Sequence, residues 1–285
     1  MSTRTVPEPV KIRLQSHYGF ARLPFRKSLG YDEMFDSRAQ RELQHGLTMW
    51  SELHGMALVT GPSGAGKSIS VRRFCRGLDE SRFRVVFLSH ARSTVTGFLR
   101  SINRALDLPM RQHSSDLFDQ AHAHLTANGP DRGPHPLLVL DDAEAMSPAI
   151  FDVLRRLTNY ALDAEDRFSV LITGTDAVLR TLRDPSLEPF NTRLSFVHNL
   201  RGFTLEDTRN YVAFHLRLAA VSDQLIAEGA VKKIFQASGG TPRRINQIAL
   251  HALIQGAVVG INDISSDFVT QQLNNHPLYD PGLAQ

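Results

Sequence analysis

The chain has 285 residues, 42% of them apolar and 21% charged, with a formal charge of +3, a balance that excludes a disordered or fibrous protein and predicts a folded core. A single cysteine, Cys75, rules out an internal disulfide, argues against a Cys/His zinc site and reads as a buried structural thiol. No apolar run reaches the roughly 18 residues of a membrane-spanning helix, and Met1 to Pro9 lacks the apolar region of a signal peptide, so a cytoplasmic protein with no membrane partner is expected.

Residues 1–16, with Pro7, Pro9 and scattered basic side chains, read as a flexible basic arm. Tyr18 to Phe25 is a compact aromatic segment able to lie across a ligand site. Leu43, Leu47, Trp50 and Leu53 then recur at helical spacing after a cap at Asp36 or Ser37. From there, short apolar runs alternate with longer amphipathic ones. Strands are expected at 56–60, 84–89, 136–140, 168–173 and 196–198, and helices at 67–78, 94–106, 115–126, 147–161 and 176–182. This alternation predicts an α/β fold with a parallel sheet between helical layers, and the turn chemistry of 128–134 predicts a loop. After Leu200 the strand pattern stops. Segments near 204–219, 226–237 and 241–257 predict a helical bundle closed by a short helix at 264–274.

Between the first strand and the helix after it stands Gly61-Pro62-Ser63-Gly64-Ala65-Gly66-Lys67-Ser68, the Gly-x-x-x-x-Gly-Lys-Ser pattern of a phosphate-binding loop. Glycines at 61, 64 and 66 let backbone N–H groups turn inward around phosphate oxygens. Lys67 can reach β and γ phosphates, and Ser68 offers a hydroxyl to Mg²⁺. The nucleotide-binding set is therefore Gly61 to Ser68 with Ile69 in the first helical turn, and the expected cofactors are ATP and Mg²⁺. The second half of such a site is an apolar strand ending in carboxylates, which Leu137 to Leu140 followed by Asp141 and Asp142 supplies. Asp141 is the expected second metal residue. A glutamate usually stands where Asp142 does, to orient the attacking water; Asp142 is shorter, and Glu144 two residues on is the substitute. Two readings follow, a slow hydrolase using Asp142 or Glu144, and a nucleotide switch that scarcely hydrolyses.

With these landmarks, residues 17–272 resemble the ExeA/GspA-type AAA+ ATPases, a group that includes transposition regulators of the TniB and TnsC kind. The resemblance rests on His17-Tyr-Gly-Phe20 with Pro24-Phe25, the acidic box Asp141-Asp-Ala-Glu144, Ile172-Thr-Gly-Thr175 and Gly239-Gly-Thr-Pro-Arg-Arg-Ile-Asn246. It implies a P-loop NTPase fold, a three-layer αβα parallel sheet with a C-terminal helical lid. The expected division is an arm (1–16), a nucleotide-binding domain (17–200), a lid (201–275) and a flexible tail (276–285). It further implies that Thr173 or Thr175 is a polar sensor contacting the γ-phosphate or the attacking water and that Arg243 is a sensor arginine on the lid, with Arg244 a solvated neighbour. Arg193 would be an arginine finger directed at the next subunit, Arg201 being the other choice, and a finger implies a ring or helical oligomer.

Arginine supplies most of the 32 basic residues, the choice for binding phosphate. Arg92 and Thr94 could rest on the backbone of double-stranded DNA, or the segment could be a solvated loop with a helix cap at Ser93 or Thr94. The role that the resemblance brings foremost is regulation of transposition, the oligomer assembling on duplex DNA and recruiting or activating a transposase or target-selection protein. Two further roles stay open: an ATPase supporting assembly of a type II secretion apparatus, in whose members a membrane helix usually follows the lid, and a non-hydrolysing scaffold.

Overall fold

The computed structural model describes residues 10–26, 33–88, 94–127, 133–161 and 165–275. In chain order its elements are α1 (Val10–Tyr18), α2 (Arg38–Leu53), β1 (Met56–Thr60), α3 (Lys67–Gly77), β2 (Phe83–Leu88), α4 (Val95–Ala105), α5 (Ser114–Thr126), β3 (His135–Leu140), α6 (Pro148–Thr158), β4 (Ser169–Thr173), α7 (Ala177–Leu182), α8 (Glu188–Asn191), β5 (Leu194–Asn199), α9 (Leu205–Leu218), α10 (Glu228–Ser238), α11 (Pro242–Val259) and α12 (Ser266–Asn274). They divide into two compact units, one of residues 38–201 and one in which the residues up to Ser37 join those from Gly202 onward.

The first unit is built on a parallel five-stranded sheet in the order β2-β3-β4-β1-β5. Successive side chains of a strand point to opposite faces, so a strand covered on both sides must be apolar throughout, as Met56–Thr60 and Ser169–Thr173 nearly are. Met56, Leu58, Leu138, Leu140, Val170 and Ile172 pack on one face with side chains of α4 to α8. Ala57, Val59, Leu137, Val139 and Leu171 pack on the other with Leu43, Leu47 and Trp50 of α2 and Val71 and Phe74 of α3. Each such buried Leu or Phe contributes about 1.5–3 kcal/mol. The side-chain amide of Asn103, fully buried on α4, donates to Leu99 O at 2.8 Å and to Leu117 O of α5 at 2.9 Å, tying the two helices together. Cys75 is buried, and burial pushes its thiol up to about 12, as an inert packing residue requires.

The second unit is helical. Its core joins Tyr211, Val212 and Leu216 of α9, Val231 and Ile234 of α10, Ile245, Ile248, Ala252 and Leu253 of α11, and Phe268 and Val269 of α12. The start of α9 is set by Thr204, whose hydroxyl accepts from Asp207 N–H at 3.0 Å while the Asp207 carboxylate accepts from Thr204 N–H at 3.1 Å.

Here the domain boundaries expected from sequence change. Residues 10–16 form most of α1 rather than part of a loose arm, and the described residues 17–26 and 33–37 group with the helical unit rather than with the sheet. Leu14, Phe20 and Phe25 are buried in the helical core, Ala21 N–H donates to Ala219 O at 3.0 Å, and Arg22 donates to Leu218 O at 2.7 Å. The first helix is hard to read because Val10 to Tyr18 has almost no amphipathic period; partners some 240 residues away hold it, such as Ile261 O, 2.9 Å from the His17 Nε2. The expected tail, 276–285, and most of the expected loop 128–134 lie outside the described residues. Among the described residues no helix is long and apolar enough to cross a membrane.

Candidate functional site

The site lies at the carboxyl ends of β1, β3 and β4, the edge of an open parallel sheet where crossovers diverge and ligands bind. β1 ends at Thr60 and the chain turns through Gly61, Gly64 and Gly66, all at positive φ, before entering α3 at Lys67. Gly61 has no alternative there. Its φ is 145°, and a Cβ would stand 2.2 Å from the carbonyl oxygen of Leu200. At the other end of the loop, Gly66 at φ 105° provides no side-chain cap to α3, so the first-turn N–H groups have neither an intrahelical acceptor nor a capping side chain. An 11-residue helix beginning this way directs donors and the positive end of its dipole at whatever the loop encloses. Lys67, only 8% exposed, folds back over the loop and donates to Gly61 O at 2.9 Å and Pro62 O at 3.0 Å. Ser68 follows it in the same turn.

Two strands away, Asp141 follows β3. Leu140 pairs with Ile172 and Val59 pairs with Thr173, so Asp141 stands level with the loop's root, about 10 Å across the sheet. Its Oδ1 accepts from the Thr173 hydroxyl and, at 3.0 Å, from the N–H of Asp142. Thr173 is completely buried, and its hydroxyl is spent orienting Asp141. Asp142 takes the left-handed conformation, φ 59°, and is exposed. That turn lifts the chain into a single 3₁₀ turn, Ala143–Ala145, which carries Glu144. The Glu144 carboxylate accepts from Thr175 N–H at 3.0 Å, binding the acidic box to the turn after β4.

The remaining expected residues are dispersed. Arg193 immediately precedes β5, at the opposite end of the sheet, where it donates to the Thr158 hydroxyl at 3.1 Å. A six-residue strand is about 20 Å long, so Arg193 cannot serve the loop of its own chain. Arg243 and Arg244 are exposed in the first turn of α11 in the helical unit. That turn is shaped by Gly240, at φ 71°, where a Cβ would fall 2.0 Å from Phe203 O, while Phe203 N–H donates to Gly240 O at 2.8 Å. Thr94 caps α4, accepting from Gly97 N–H at 3.3 Å; Arg92 lies outside the described residues. Sequence reasoning passed over Asn199, whose side-chain amide donates to Thr60 Oγ1 at 2.9 Å and to Asp176 Oδ1 at 2.7 Å. A polar residue ending a strand beside a phosphate loop was the available signal.

A glycine loop running into a helix, a buried lysine on that loop and an oriented aspartate across a parallel sheet define a P-loop NTPase fold of the AAA type. The donor set suits a nucleotide triphosphate with Mg²⁺: Lys67 and the loop amides for phosphate, Ser68 and Asp141 for the metal. Residues 51–182 match the protein-family model described as AAA domain. The chain is 28% identical over 212 residues to general secretion pathway protein A of Aeromonas hydrophila, an alignment covering 74% of this chain and 38% of that protein, so well under half of that relative is represented. Among solved structures, the fold is similar to Cdc6p from Pyrobaculum aerophilum, with TM-score 0.63, 20% identity, and coverage of 88% of this chain and 70% of that one. It is likewise similar to Drosophila ORC bound to DNA, with TM-score 0.65, 14% identity, and coverage of 96% and 68%.

Proposed function

We propose that this chain is an ATPase that binds ATP with Mg²⁺ at Gly61–Ser68, turns it over slowly, and assembles as a ring or helical oligomer on duplex DNA to regulate or recruit a transposase. The observation that carries the nucleotide part is the pairing of the uncapped N-terminus of α3 with the buried Lys67 on a loop whose first glycine admits no side chain. Bound ATP–Mg²⁺ would supply the phosphoanhydride and the charge neutralisation for its cleavage. Lys67 would hold the β and γ phosphates, taking up acceptors in place of its two loop carbonyls. Ser68 and Asp141 would hold the metal, Asp141 kept in place by Thr173. Asp142, next to Asp141 at the end of the strand, would orient water, with Glu144 the substitute. Arg243, from the helical unit, would read the phosphates.

Assembly is supported by Arg193, which is too far from its own loop to act there and would serve another copy. The likeness to Drosophila ORC bound to DNA supports a DNA partner, with Arg92 and Thr94 the expected phosphate contacts. The test is electron microscopy of the chain with duplex DNA, with and without a slowly hydrolysed ATP analogue. Filaments or rings that need nucleotide and dissolve in salt are expected, and absence of DNA binding at low salt with nucleotide present would remove the reading.

A second reading rests on the identity to general secretion pathway protein A, that the ATPase supports assembly of a secretion apparatus. It shares the nucleotide chemistry and differs in the partner. ATP turnover that is indifferent to DNA favours it.

A further inference from the structure

Three elements meet at the side chain of Asn199, the last residue of β5. One hydrogen of its amide goes to Thr60 Oγ1 at 2.9 Å and the other to Asp176 Oδ1 at 2.7 Å. Thr60 ends β1 and immediately precedes the phosphate loop. Asp176 sits next to Thr175, the residue whose N–H holds Glu144. The neighbouring Leu200 reinforces the first contact through its backbone: its N–H donates to Thr60 O at 2.8 Å, and its carbonyl oxygen occupies the space a Cβ on Gly61 would need. After Leu200 and Arg201 the chain leaves this unit.

The bridge is badly placed for a purely structural role. Asn199 and Asp176 are both exposed, and hydrogen bonds that compete with water contribute only about 0.5–1.5 kcal/mol each. It is well placed for coupling, because it joins the root of the phosphate loop, the turn that anchors the acidic box and the connector out of the unit. The chemistry selects asparagine: two hydrogens on one nitrogen satisfy two acceptors, whereas serine has one and aspartate would repel Asp176.

We propose that Asn199 is a positioning residue that makes the loop at Gly61, the turn at Thr175–Asp176 and the connector Leu200–Arg201 move together, so that occupancy of the loop is transmitted to the connector. This rests on the nucleotide-binding reading above. The experiment compares the wild-type full chain with Asn199→Ala and Asp176→Ala, measuring binding of fluorescent ATP with magnesium and hydrogen exchange at the Leu200 and Arg201 amides with and without ATP. In the wild type, ATP is expected to slow exchange at these amides by about fivefold or more. Asn199→Ala is expected to bind ATP within about threefold of wild type while losing most of that slowing, and Asp176→Ala to lose part of it.

Full slowing in a folded Asn199→Ala overturns the proposal, as does ATP binding by the wild type with no change at these amides. A wild type that binds no ATP removes the nucleotide reading and this inference together, a result distinct from the other two. If Asn199→Ala lowers the melting temperature by more than about 5 °C, Asp176→Ala, which cuts the same bridge from its exposed side, decides the matter.

Discussion

The carboxylate of Glu144 accepts the backbone N–H of Thr175 at 3.0 Å, so the carboxylate two residues after the acidic pair holds the turn that follows β4. A Cβ on Gly174 would come 3.0 Å from the same Oε2, which shows how closely the two segments meet. Asp142, exposed and in the left-handed conformation, is the carboxylate proposed above to orient water. Glu144→Gln keeps an oxygen acceptor and is expected to leave turnover within about threefold of wild type, whereas Asp142→Asn lowers kcat by about tenfold or more with nucleotide affinity retained. Steady-state hydrolysis checks both. Loss of turnover in Glu144→Gln alone would reverse the assignment.

Lys67→Ala removes the cation that crosses the loop and releases the carbonyls of Gly61 and Pro62. ATP affinity measured by fluorescence titration is expected to fall about 100-fold or more, with the folded state retained because the loop is otherwise shaped by its glycines.

Two glycines carry steric demands of the same kind in different units. Gly61→Ala would drive a methyl group against Leu200 O, and Gly240→Ala would drive one against Phe203 O. Each is expected to cost about 2–4 kcal/mol through strain at positive φ and backbone overlap. Denaturant melts should show Gly61→Ala also abolishing nucleotide binding, while Gly240→Ala destabilises the helical unit and leaves the phosphate loop competent.

His215, 1% exposed on α9, accepts from Phe25 N–H through Nδ1 at 3.2 Å, while its Nε2 is buried without a hydrogen-bond partner. Burial holds its pKa down to about 4, against 6.5 for an ordinary histidine. The unfolded chain takes up a proton below 6.5 that the folded chain resists, so this contribution to stability is complete above 6.5 and lost progressively as the pH falls towards 4. The full loss is about 3 kcal/mol. His215→Phe should flatten the melting temperature of the helical unit between pH 7 and 5, at a pH-independent cost of about 1–3 kcal/mol for the unpaired Phe25 N–H.

Arg193→Ala is expected to leave ATP binding by the isolated chain unchanged and to lower turnover about 100-fold only under conditions where copies assemble. Turnover measured against protein concentration checks this. An equal loss at all concentrations would assign Arg193 a purely structural role through Thr158.

How much of this was legible beforehand depends on the range of the interaction. The strands and most helices follow from local periodicity, because a doubly covered strand must be apolar throughout and a surface helix must be apolar on one side. The phosphate loop was equally legible, since its glycines answer to their own backbone angles and Lys67 bonds to residues only five and six positions away. The packing of α1 was not, as its partners lie at the other end of the chain. Nor were the contacts made around the acidic box. Thr173 meets Asp141 across 32 residues, Thr175 meets Glu144 across 31, and Asn199 meets Thr60 across 139. Local pattern therefore determined the strands, most helices and the phosphate-loop motif, whereas the order in which the sheet sets β1 between β4 and β5 decided which side chains meet, because only the crossovers bring those strand ends within hydrogen-bonding distance.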